Sequence, residues 1–155
     1  MAAPDIVMNE GAVNQIKAII SKLRVDANSK VVFLVDKNGQ QIAAHGDIEN
    51  LDTTSLASLT AGNVAATDGL AKLIGEREFS ILFHEGERDN IHISIVASRV
   101  ILVVIFHERS SLGLVRLRVK KASGELNDVF AGIMSKVEKE RAAAGAAFES
   151  PFAEI

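Results

Sequence analysis

Seven consecutive apolar residues, Val100 to Phe106, constrain this chain more than any other stretch of it. VILVVIF is dominated by β-branched residues and carries no polar alternation, so it reads as a strand with apolar side chains on both faces. Only a central strand, covered above and below, satisfies that pattern. Lys30 to Asp36, KVVFLVD, is a second run of the same kind, and the two are expected to lie side by side in the middle of a sheet. The wider stretch Ile91 to Phe106 is not a membrane span, because His92, Ser94, Ser98 and Arg99 interrupt it and a tight hairpin accounts for them.

The remaining elements follow from spacing. Asn9 is placed to cap a helix over Glu10 to Arg24, with Val13, Ile16, Ile19, Ile20 and Leu23 on one stripe. Asn38-Gly39 between two strand patterns marks a hairpin, so Gln41 to Gly46 should pair back on Lys30 to Asp36. Phe79 to Glu85 and Asn90 to Val96 alternate as half-buried strands, with Phe79 to Glu85 expected at an open edge. Val115, Val119, Ala122, Leu126, Val129, Phe130, Ile133 and Val137 form the stripe of a last helix that begins near Ser110 to Gly113. After Arg141 the chain reads AAAGAAFESPFAEI, where Gly145 and Pro151 suggest a flexible tail. The expectation is one α+β domain, an α/β sandwich over residues 1–141 with a tail over 142–155, in the order α-β-β-α-β-β-β-α. Its five-stranded antiparallel sheet should carry the middle helix on one face and the two terminal helices on the other.

That middle helix is unusual. Between Thr53 and Gly75, Asp68 and Lys72 are the only charges and eight residues are Ala or Gly. Asp52, Thr53 and Thr54 offer N-cap chemistry and Gly75 a stop. Leu56, Leu59, Asn63, Ala66, Leu70 and Leu73 recur as one expected buried face, and Ala57, Ala61, Ala65 and Gly69 recur as a small-residue face. Such a face suits either close packing on the chain's own sheet or close approach by a partner. Thr53, Thr54, Ser58, Thr60, Asn63, Thr67 and Asp68 exclude a packed membrane helix, so no membrane insertion is expected.

Composition narrows the function classes. A formal charge of −3 argues against a general nucleic-acid binder, and the absence of Trp and Tyr leaves only seven Phe as stacking platforms. The chain has no Cys, hence no thiolate chemistry. No basic region followed by an apolar run opens the sequence, so a cytoplasmic protein is the default expectation. Neither GxxxxGK[ST] nor GxGxxG after a strand occurs, and no nucleotide cofactor is expected. His84, Glu85, Glu87, Asp89 and His92 cluster around one hairpin but lack metal-ligand spacing. His45 and His107 fall at strand ends, and Ser110 and Ser111 read as helix caps rather than nucleophiles. No catalytic, cofactor or metal residue is therefore expected. The one strong charge asymmetry is Arg109, Arg116, Arg118, Lys120 and Lys121, with no acid between Glu108 and Glu125. It is either a solvated helix face or a contact for an acidic protein partner.

KVVFLVDKNGQ, DTTSLASLTAGNVAATDGLAKLIGE, SRVILVVIF and SSLGLVRLRVKKA, in this order, closely resemble the Roadblock/dynein light-chain superfamily, and within it the bacterial regulators of cell polarity and gliding motility. The likeness is dense from Lys30 to Glu125, weaker in the first helix, and returns in SPFAEI. It implies a homodimer, concentrated at a cell pole, that serves as GTPase-activating protein for a small Ras-like GTPase of the MglA type. It has no active site of its own and acts by repositioning the GTPase's residues. The family dimer joins sheets along the third strand, here Phe79, Ile81 and Phe83, and packs the middle helices together. The family's GTPase contact maps onto Ala61, Ala65, Asp68, Gly69 and Lys72; Arg109, Arg116, Arg118 and Lys120, from the charge asymmetry alone, are possible basic contacts for a partner. In the family an acidic amphipathic helix linked to nucleotide exchange follows SPFAEI; this sequence stops at Ile155, so activation is expected and a role in exchange is left open. The alternatives are a Roadblock scaffold that binds without stimulating, and a small-molecule or metal enzyme for which no convergent polar set is found.

Overall fold

The computed structural model describes residues 9–153, with side chains as far as residue 145. Its elements are α1 (Glu10–Asp26), β1 (Val31–Asp36), β2 (Gln41–Gly46), α2 (Thr53–Leu73), β3 (Ile81–Glu85), β4 (Asp89–Val96), β5 (Val100–His107) and α3 (Leu112–Ala153). The strands form one antiparallel sheet in the order β2-β1-β5-β4-β3. The two uninterrupted apolar runs are neighbours at its centre, in register from Val31↔Ile105 to Asp36↔Val100.

Alternation along these strands feeds two cores. Val32, Leu34, Leu102, Val104 and Phe106 meet Ile16 and Ile20 of α1 and Val115, Leu126 and Phe130 of α3. Val31, Phe33, Val35, Ile101 and Val103 meet Ala57, Ala61 and Val64 of α2. Phe33, Leu34 and Leu102 are wholly buried, each burial stabilising the fold by about 1.5–3 kcal/mol.

The helix ends follow local chemistry. Asn9 Oδ1 accepts the Ala12 N–H at 2.7 Å, a cap whose loss costs about 1 kcal/mol. Asp52 Oδ1 accepts the Ser55 N–H at 3.0 Å, and Ser55 Oγ donates to Asp52 Oδ2 at 2.6 Å. These bonds, that from the Ser55 hydroxyl first, hold the Asp52 carboxyl below its usual pKa. Gly75, at φ +81°, ends α2 by sending its N–H to the Lys72 carbonyl while the Glu76 N–H reaches that of Ala71, the paired bonds of a Schellman motif. Ser111 Oγ accepts the Leu114 N–H at 3.2 Å and so caps α3.

Three expectations need correction. The buried face of α2 is the small-residue one in part: Ala57 and Ala61 are 2% and 9% exposed, whereas Leu59, Leu70 and Leu73 are 73%, 60% and 83% exposed. The sheet beneath already presents Phe33, Val31 and Ile101, and only short side chains let the helix lie on them. Regular β3 begins at Ile81 rather than Phe79, although Ser80 still accepts the Ile95 N–H at 3.0 Å. Last, the backbone of α3 stays helical to Ala153 instead of ending near Arg141. The alanines after Arg141 are the best helix formers and outweigh Gly145, which costs about 1 kcal/mol. Every side chain from Glu138 to Gly145 is exposed. Of the expected tail, Glu154, Ile155 and all side chains beyond Gly145 lie outside the described residues.

Candidate partner-binding surface

The outward side of α2 is the first candidate. Ala61, expected as a contact, is instead part of the core, under the β1–β2 turn. A Cβ on Gly39 would stand 3.7 Å from the Ala61 Cβ. Ala65, Gly69 and Lys72 are exposed and Asp68 half-buried. A Cβ built on Gly62 or Gly69 meets nothing within 4 Å. Neither glycine is needed by the chain's own packing, yet each costs the helix about 1 kcal/mol relative to Ala.

The helix has two exposed sides, and a hydrogen bond orients them. Asn63 Nδ2 and His84 Nε2 of β3 are 2.9 Å apart, so Asn63 marks the side of α2 turned toward the β3 edge. At 100° per residue, Leu59, Ala66 and Leu70 flank Asn63 on that side, while Ala65, Gly69 and Lys72 face the other way.

The second candidate is the β3 edge itself. Ile81 and Phe83 are 47% and 38% exposed. Phe83 stacks on Phe106 with ring centroids 6.1 Å apart, and Phe79 is half-buried. The edge is apolar, and among the described residues no helix covers it.

The basic residues do not converge. Arg116 and Lys120 turn toward β3 and β4, Arg118 turns toward Leu23 and Asp26 of α1, and Arg109 is exposed on the loop before α3, its carbonyl accepting from Asn28 Nδ2 at 3.3 Å. The hairpin histidines also separate. His84 lies on the α2 face, and His92, paired with Val104 in register, lies on the opposite face, 1% exposed. Asp89 is held by Lys30 at 3.1 Å. Among the described residues no three potential metal ligands come together, and no helix is long and apolar enough to cross a membrane.

A pocket that sequence reasoning does not reach lies between α3 and the β3–β4 pair, with His92, Ser94, Arg116 and Lys120 in its wall. The alternation His92-Ile93-Ser94 is visible in the sequence, but that α3 stops short of covering it is not.

The family model described as Roadblock/LC7 domain matches residues 16–106. The chain belongs to the Roadblock/LC7 family. Among solved structures this Roadblock chain is similar to Myxococcus xanthus MglB at 62% identity, covering 82% of this chain and 96% of that one with a TM-score of 0.79. It resembles the gliding protein MglB of Thermus thermophilus at 29% identity, covering 83% and 97% with a TM-score of 0.77. It also resembles an MglB with tetrameric arrangement at 27% identity, covering 85% and 99% with a TM-score of 0.79. None of the curated proteins compared with it matches. The Roadblock fold is that of a regulatory scaffold, and the expectation of a Roadblock protein similar to MglB is met over nearly the whole length of that relative.

Proposed function

We propose that this Roadblock protein is a dimeric GTPase-activating regulator of a small Ras-like GTPase of the MglA type, working in the cytoplasm in cell polarity and motility. The observation that carries the reading is the 62% identity to Myxococcus xanthus MglB along 96% of that chain. Two surface features support it. The apolar β3 edge at Ile81 and Phe83 is a template for pairing with a second copy across a two-fold axis. Such pairing would bring the Leu59, Ala66 and Leu70 sides of two α2 helices together. It would leave Ala65, Gly69 and Lys72 of each outward, where glycine lets the GTPase backbone approach closely. Asp68 stands beside them.

In this reading the regulator supplies no reacting group. It stabilises one arrangement of the partner's own catalytic residues, and its effect is spread over the α2 contact. Single-turnover GTP hydrolysis by the GTPase, with and without saturating regulator, is the test. Acceleration of about ten-fold or more establishes activation, a barrier change of about 1.4 kcal/mol. Complex formation with an unchanged rate would assign a scaffold role instead.

A further inference from the structure

The groove between α3 and the β3–β4 pair is on the face of the sheet opposite α2, so neither the GTPase contact nor its test involves it. It encloses about 500 Å³. Its floor holds polar groups that the fold leaves unserved. His92 and Ser94 are 1% and 6% exposed, and both ring nitrogens of His92 and the Ser94 hydroxyl lack a hydrogen-bond partner among the described residues. An unpartnered buried polar group is destabilising, so two side by side call for a ligand or water that completes them. Burial, and then the Arg116 guanidinium, keep the His92 imidazole below its ordinary pKa, and the neutral ring offers one donor and one acceptor.

The rim is cationic and the wall apolar. Arg116 and Lys120, four residues apart on α3, stand on one side of the helix, in a segment without an acid from Arg109 to Ala122. Leu117 and Ile81 line the same groove and are 61% and 47% exposed. Ile81 is also a residue of the proposed dimer edge; pairing there would use the β3 backbone and set the Ile81 side chain beside the second copy on this same face, so the groove would border the seam.

We propose that this groove docks an acidic peptide segment of a partner protein. A carboxylate of the segment is taken by Arg116 and Lys120, its polar backbone or side chain completes His92 and Ser94, and an adjacent apolar side chain covers Ile81 and Leu117. A lone small anion would use the two cations but leave the apolar wall in water. Nucleic acid needs a track of many phosphate contacts, which two cations on a chain of net charge −3 do not supply.

The probe is the blocked peptide acetyl-Leu-Glu-Glu-Leu-Phe-amide, titrated into the full chain and followed through the His92 ring nitrogens and the Ser94 amide by NMR. Saturable shifts at these groups are expected, with the all-Gln counterpart at least about ten-fold weaker. The double variant R116E/K120E, at exposed positions of α3, should keep its circular dichroism and lose at least about ten-fold in affinity. K121E, on the side of α3 that faces α1, should bind as the unaltered chain does. Equal binding of the Gln peptide, undiminished binding by R116E/K120E, or absence of saturable shifts at millimolar peptide would overturn the proposal. So would acetate matching the peptide concentration for concentration, which would assign the site to a small anion.

Discussion

The two edges of the sheet are both formally open, and the chain treats them oppositely. At β2, Ile42 to Gly46 are half-buried, with Ile42 and Ala43 packed into the core that α1 covers. Arg24 of α1 donates from Nε to the Lys30 carbonyl at 3.1 Å and reaches Asp47 at 3.7 Å. Gly46, at φ +120°, sits so tightly that a Cβ would fall 2.1 Å from the Lys30 oxygen. At β3, by contrast, only Leu82 is half-buried and the other four residues are exposed. A helix laid beside an edge and a close-packed glycine protect it from pairing, whereas an apolar edge without either invites a partner. The β2 edge is thus closed to a second chain, and the β3 edge is the one left available for pairing.

The largest effect should come from charging the open edge. In a two-fold pairing Ile81 and Phe83 meet the same residues of the second copy, so I81K/F83K replaces apolar cross-strand contacts by a cluster of like charges. Association should weaken by at least about a thousand-fold, about 4 kcal/mol, seen as a monomer by light scattering. Gln41→Lys on β2 should leave the mass unchanged, and equal dissociation by both variants would erase the distinction between the edges.

A smaller loss is expected on the outward side of α2. A65R/G69R places two long side chains at exposed positions, with open space at Gly69, so the dimer should persist while GTPase affinity drops by at least about a hundred-fold, about 2.7 kcal/mol. Normal affinity in a titration would move the contact elsewhere, and loss of the dimer would merge the two exposed sides of the helix into one interface.

Arg109→Ala tests whether the loop end of the molecule acts catalytically in the partner. An arginine finger supplies ~10³ to 10⁵ in rate. Repositioning through α2 predicts that the variant keeps at least about a tenth of the stimulated rate, a barrier change of about 1.4 kcal/mol or less. A fall to the unstimulated rate with binding retained would make Arg109 the finger.

The smallest effect is a pH dependence carried by His92 beside the open edge. Its folded-state pKa is lowered by burial and by Arg116, so the unfolded chain, at about 6.5, takes the proton first. The stability this group contributes is complete above about pH 6.5 and is lost as pH falls below it toward the lower folded value. Thermal unfolding followed between about pH 7.5 and about pH 5 should therefore show a shallower decline in His92→Leu than in the unaltered chain. An unchanged slope would show that the ring is solvated rather than buried.

How much of this is legible in the sequence depends on whether local chemistry or packing decides. The Asn9, Asp52 and Ser111 caps and the Asn38-Gly39 turn are consequences of side chains acting within a few residues, and the structure keeps them. The Ala97-Ser98 turn does not announce itself in the same way: both residues adopt positive φ, 53° and 58°, without a Gly or Asn, because β4 and β5 are locked in register on either side. The choice between the leucine and alanine sides of α2 escapes the sequence for a related reason. Periodicity identifies two stripes, but which one the sheet accepts depends on the size of Phe33, Val31 and Ile101 beneath it.

By itself, then, the sequence determined the element order, the central pairing of β1 with β5 and the presence of an apolar β3 edge. Continuous apolar runs and alternation leave few ways to keep such side chains from water. Only the tertiary structure decided that Ala61 is core while Ala65 and Gly69 are surface, that His84 and His92 project to opposite faces, and that α3 leaves His92 and Ser94 at the floor of a groove. Those outcomes depend on how far one element extends over another, a matter of close packing between residues distant in the chain that no local pattern encodes.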